Sequence, residues 1–79
     1  MSAAASRSVG GARVILGVRG MDTEAARAKV RRALLAVPGV VSVDPSGDQQ
    51  WLVRYDPTEA TVMDMIRAAR RLGFLAGMG

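Results

Sequence analysis

The stretch Gly20-Met21-Asp22-Thr23-Glu24-Ala25-Ala26-Arg27-Ala28-Lys29-Val30 joins two kinds of hydrophobic periodicity. Ahead of it, Val14, Leu16 and Val18 alternate with Arg13, Ile15, Gly17 and Arg19, the period of a strand with one buried face. Gly20 breaks that strand. Asp22, Thr23 and Glu24 then supply N-cap candidates and negative charge where a helix dipole favours it. Val30, Ala33, Leu34 and Val37 follow at helical spacing. A strand, a glycine-led loop and an amphipathic helix are therefore expected in that order.

Working outward, Pro38–Gly39 ends the helix, and a second apolar run, Val40 to Val43, leads into the turn-forming Asp44-Pro45-Ser46-Gly47-Asp48. Trp51, Val53 and Tyr55 then alternate with Leu52 and Arg54, so the two runs form a hairpin. Asp56–Pro57 closes it. Thr61 with Asp64 makes a capping box, Met65, Ile66, Ala69 and Leu72 give a second helix its apolar stripe, and Gly73 sits where a C′ glycine belongs. The best use for Phe74 to Met78 is a last strand. The order βαββαβ builds an α+β, ferredoxin-like sandwich: a four-stranded antiparallel sheet with two helices on one face. Residues 1–11, Ser, Ala and Gly with one Arg, are expected to be a flexible leader, and 12–79 the folded domain.

Seventy-nine residues make one domain with a thin core, since a chain this short buries only about 60% of its unfolded surface. The 49% hydrophobic and 23% charged composition is that of a globular chain. There is no cysteine and no histidine. That excludes disulfides, thiolate nucleophiles, cysteine-based metal sites and the commonest acid–base group. No apolar run is long enough for a signal peptide or a membrane span, so a cytoplasmic location without membrane insertion is expected. The net charge of +4 favours acidic partners, and seven of the eleven basic residues lie in two short stretches, Arg27 to Arg32 and Arg67 to Arg71.

The motifs Val14-x-Leu16-x-Val18 before Gly20-Met21, Val30-x-x-Ala33-Leu34-x-x-Val37-Pro38-Gly39-Val40, Val53-x-Tyr55-Asp56-Pro57 and Gly73-Phe74, in this order, resemble the heavy-metal-associated domain family from Ala12 to Met78. That family includes copper chaperones, a periplasmic mercury carrier and the N-terminal modules of metal P-type ATPases. Its function sits in a GMxCxxC motif. By the resemblance, the two cysteine positions are Thr23 and Ala26, in a pseudo-site loop with Met21 and Asp22. Residues three apart at a helix start share a face, so two thiolates there converge on one soft ion while the helix N-terminus stabilises their charge. Alanine ligates nothing, and a threonine hydroxyl is a hard, weak donor. No metal ligand and no cofactor is therefore carried over.

The remaining candidates divide between core and surface. The resemblance makes Met21 a core plug under the loop. Asp22, Thr23 and Glu24 read as a helix start before they read as a cation site. Met63 and Met65 point about 200° apart and cannot act together as thioether ligands, as Met63, Met65 and Met78 would in a copper site. By the resemblance, the register that buries Val53 turns Trp51 and Tyr55 inward with it, which leaves no aromatic on the open sheet face for a nucleic-acid base to stack on. No catalytic set can be assembled, and the chain is expected not to be an enzyme.

Arg27 and Arg31, with Lys29, form a basic ridge on the first helix, and Arg67 and Arg71, with Arg70, form another on the second; Arg32 adds to the first. Family chaperones with basic faces dock on acidic domains through the loop and neighbouring helix ends. The resemblance thus implies an acidic protein partner, such as a metal-transport ATPase or chaperone domain, meeting Met21 to Arg27 and the end of the second helix. The leading expectation is a degenerate domain that has lost the soft-metal site and acts as an interaction or regulatory module linked to metal transport. The alternative is a copper-type carrier using non-cysteine ligands such as Met and Asp.

Overall fold

The alternating apolar runs pair as antiparallel strands in a computed structural model that describes residues 11–78. Strand β1 (Ala12–Arg19) is central, flanked by β3 (Gln50–Tyr55) and β4 (Leu75–Met78), and β2 (Val40–Pro45) lies outside β3, giving the order β2-β3-β1-β4. Helices α1 (Glu24–Leu35) and α2 (Val62–Arg71) complete the expected βαββαβ sandwich. The expected leader, apart from Gly11, falls outside the described residues.

Register places Val14 opposite Val53 and Leu16 opposite Trp51, so the inner face of the sheet is continuous across β1 and β3. Val30 and Leu34 of α1 and Met65, Ile66 and Ala69 of α2 complete the core over it. Leu16, Leu34, Met65 and four valines are fully buried, each worth about 1.5–3 kcal/mol relative to exposure. A bulge between Val40 and Ser42 turns Val41 out to solvent at the β2 edge.

Three details depart from the sequence pattern, each at an element's end. Helix α1 stops at Leu35, and Ala36 caps it by donating its N–H to the Arg32 carbonyl. Val37 reaches the core from the turn that follows rather than from the helix. Leu72, expected in the α2 stripe, is the C-cap residue and is 39% exposed. Phe74 belongs to the helix ending instead of the last strand. The Gly73 N–H donates to the Arg70 carbonyl and the Phe74 N–H to that of Ala69, the pair of bonds of a Schellman ending, with Gly73 at φ +95°. The expected Thr61–Asp64 capping box is present in both directions.

Two turns tie the helices to the sheet. Gly39, at φ +94°, follows α1, and its carbonyl accepts the Asp56 N–H at 2.8 Å. A Cβ there would lie 2.7 Å from Glu59 Cβ and 3.0 Å from Ala60 Cβ. The Asp56 carboxylate in turn accepts from the Thr58 N–H at 2.9 Å and the Thr58 hydroxyl at 2.6 Å, and these bonds, the hydroxyl foremost, hold it below the ordinary carboxylate value of 3.8.

Gly39→Ala combines a left-handed backbone with a steric clash. It should destabilise the domain by more than about 1 kcal/mol, read from its urea midpoint. A carboxylate with a lowered native pKa stabilises the fold above its unfolded value and loses that contribution as pH falls through the native one. Thr58→Ala should therefore raise the Asp56 pKa in a carboxyl NMR titration and flatten the acid limb of stability below pH 3.8.

Candidate functional site

The loop between β1 and α1 is held from three sides. Gly20, at φ +102°, turns the chain out of β1 above Phe74, whose ring would lie 3.1 Å from a Cβ at that position. Gln49, in the turn between β2 and β3, reaches across to it. The Gln49 side-chain carbonyl accepts the Gly20 N–H at 2.8 Å, its Nε2 donates to Asp22 Oδ1 at 3.4 Å, and its backbone carbonyl accepts the Val18 N–H at 2.9 Å. Gln49 adopts φ +55°, an uncommon conformation for a residue with a side chain. That conformation belongs to the strap.

Beneath the loop, Met21 is 3% exposed and its sulfur accepts the Trp51 indole N–H at 2.9 Å. The Arg27 guanidinium lies over the same indole, 5.1 Å from the ring centroid, a cation–π contact worth about 0.5–2 kcal/mol. Met21, Trp51 and Arg27 thus form one stack from loop to strand to helix. The expected core role of Met21 is observed, and with it a hydrogen bond that occupies the thioether.

The two positions where cysteines would be expected are bonded to each other. Thr23 is the N-cap of α1, with extended backbone, and its hydroxyl accepts the Ala26 N–H at 3.1 Å. Among the described residues no three His, Cys, Asp or Glu side chains converge. A soft ion finds no fitting donor set here: Met21 is buried and engaged, Thr23 is committed to the cap, Ala26 offers only methyl, and the exposed Asp22 is a hard oxygen donor. Met63, at the start of α2, and Met78, in β4, are exposed on separate elements.

The basic residues do not form uniform ridges. Arg27 is half-buried on Trp51, and Arg31, though exposed, donates from Nε to the Val43 carbonyl at 3.1 Å, so both also tie α1 to the sheet. Lys29, Arg67, Arg70 and Arg71 are exposed. Arg67 and Arg71 line a groove of about 430 Å³ between α2 and the end of α1, floored by Ala33, Ala36 and Ala68 and bordered by Glu59 and Asp64. Glu59 and Asp64 are thus the carboxylates nearest Arg67 and Arg71 along this groove. Gln49 is the site residue that periodicity could not reveal. Its only local signal is its place next to Gly47-Asp48, because its partners lie about 30 positions away.

The sequence profile of the heavy-metal-associated domain matches residues 15–74. Among solved structures, oxidized MerP from Ralstonia metallidurans CH34 is 28% identical, with 86% of this chain and 96% of that one covered and a TM-score of 0.80. The CopZ metallochaperone is 30% identical over 84% of this chain and all of that one, at 0.77. The yeast copper transporter domain Ccc2a, solved apo and Cu(I)-loaded, is 29% identical, covering 85% and 93%, also at 0.77. Among curated proteins none matches.

If the cap and the strap hold the loop, Thr23→Ala should cost about 1 kcal/mol and Thr23→Ser much less. Gln49→Ala should speed hydrogen exchange at the Gly20 amide while leaving the Trp51 indole N–H protected, both read by NMR.

Proposed function

The chain belongs to the heavy-metal-associated domain family, and from that membership and its missing thiols we propose that it acts as an interaction or regulatory module in metal transport, docking by shape and charge instead of carrying an ion. The observation that carries this reading is the Thr23–Ala26 cap. It ties down the helix start that in the family's motif would present two thiolates, so the loop keeps its form without an ion to organise it.

The partner is read as an acidic protein surface, such as a domain of a metal-transport ATPase or a chaperone; relatives include the CopZ metallochaperone and a yeast copper transporter domain. Its contact zone would run from Met21 to Arg27 and onto the α2 end at Arg67, Arg70 and Arg71, with Lys29 and Arg31 adding positive potential. Exposed charges of this kind act mainly on encounter rate and salt dependence. Arg70 and Arg71 also sit in the last turn of α2, where a helix dipole favours cations, so part of their placement has a purely structural reason.

The module is read as cytoplasmic and non-enzymatic; no helix among the described residues is long and apolar enough to cross a membrane. A carrier with Met21, Asp22 and Thr23 as ligands would have to break the Trp51–Met21 bond and release the α1 cap. Nothing in the site favours that exchange.

Titration with Cu(I) against a modest chelator should reveal no stoichiometric site in this chain and a one-to-one site in the double variant Thr23→Cys, Ala26→Cys. Against an acidic ATPase metal-binding domain, Arg67→Glu with Arg71→Glu should weaken binding about tenfold at low salt and have less effect at high salt. A chelator-resistant copper complex of the unaltered chain would sink the reading, as would docking indifferent to both charge reversals.

A further inference from the structure

The face of the sheet turned away from the helices is unusual in three ways. Arg13 stands directly opposite Arg54, and like charges at opposed positions weaken a sheet. Ile15 faces Leu52 and Leu75 faces Arg19, and both Leu75, 64% exposed, and Ile15, 38% exposed, show apolar surface to water. Between them Gly17 faces Gly77 across β1 and β4, leaving bare main chain. A depression of about 560 Å³ lies over these glycines, bounded by Arg19, Gln50 and Leu75 and by no helix residue. Glycine inside a strand marks places where another chain or a ligand approaches closely, and a bulky side chain from a neighbour can cover it.

The charges on this face indicate what would cover it. Arg7 lies outside the described residues; the other three basic residues not on the helices, Arg13, Arg19 and Arg54, all project from this face, on the two central strands. Two carboxylates share this side, Asp44 opposite Leu52 on edge strand β2 and Asp48 at the rim of the depression, so the three arginines leave it net positive. A second copy would bring the same arginines against one another. Nucleic acid would find no aromatic to stack on, since Trp51 is buried on the opposite face.

The geometry points to the open sheet face as a docking site for an acidic polypeptide segment. That segment would place one bulky apolar side chain in the Gly17–Gly77 trough and its carboxylates on Arg13, Arg19 and Arg54. The apolar contact supplies the affinity, and the carboxylates relieve the Arg13–Arg54 repulsion and fix orientation. This surface adjoins the loop contact proposed above at Gln49, which lines the depression, but does not rest on it.

The trough can be filled without harming the fold. A Cβ at Gly77 meets nothing within 4 Å and the backbone is not left-handed, so Gly77→Val should fold at least as stably as the parent. The probes are synthetic peptides of glutamates around one central residue, Trp in one and Gly in the other, titrated into the isotope-labelled full chain. The Trp peptide should bind about tenfold tighter than the Gly peptide, shifting the amides of Gly17, Leu75 and Gly77. Gly77→Val, and separately Arg13→Glu with Arg54→Glu, should each weaken it about tenfold, while Arg67→Glu with Arg71→Glu leaves it unchanged. The two surfaces therefore fail independently. Absence of binding, shifts confined to the helices, a folded Gly77→Val that binds normally, an oligothymidine that occupies the face as tightly, or self-association through it would each overturn the proposal.

Discussion

The Trp51 indole fastens together three parts of the chain that are distant in sequence. A buried N–H left without an acceptor costs about 1–3 kcal/mol, and in this interior the acceptor is the sulfur of Met21. Arg27 closes over the ring from the first turn of α1. A sheet strand, the loop and the helix start are thereby held to one aromatic plane. The loop's shape follows from that packing together with the Gln49 strap.

The same arrangement bears on the chemistry. A helix N-terminus offers amide donors and positive potential, which thiolates exploit strongly because they are anionic. In this chain the neutral Thr23 hydroxyl takes one of those donors, the Ala26 N–H, and the next amide, that of Arg27, bonds to the Thr23 carbonyl as ordinary helix. One donor that a sulfur pair could use, the Ala26 N–H, is thus spent on the cap. Membership of the heavy-metal-associated family and lack of the cysteines of its motif are compatible in this way, because the core and the caps here are built without them.

The positive charge is also less uniform than its sum. Arg27 and Arg31 serve the fold through an indole face and a strand carbonyl, while Arg67 and Arg71 stand at a helix groove and Arg13, Arg19 and Arg54 on the far side of the sheet. Two basic surfaces on opposite sides of a thin sandwich are therefore available, one floored by alanines and the other by glycines. Exposed Ile15 and Leu75 lie with the second.

Most of the fold was legible in the sequence. Strand alternation in Val14, Leu16 and Val18, helical spacing in Val30 and Leu34, the Thr61–Asp64 box and the glycines at turns are local or periodic signals, and local physics determines them. The missing thiols were equally plain, because absence of a residue type needs no coordinates. Element ends were misjudged at Val37, Leu72 and Phe74, where capping geometry overrides hydrophobic period. The tertiary structure alone decided that Gln49 straps the loop, that Met21 bonds to Trp51, that Arg27 and Arg31 are partly structural, and that Gly17 meets Gly77 beneath exposed Leu75. Each of these joins residues from different elements. Their meeting depends on strand register and on which strand lies beside which, and no short-range pattern encodes that.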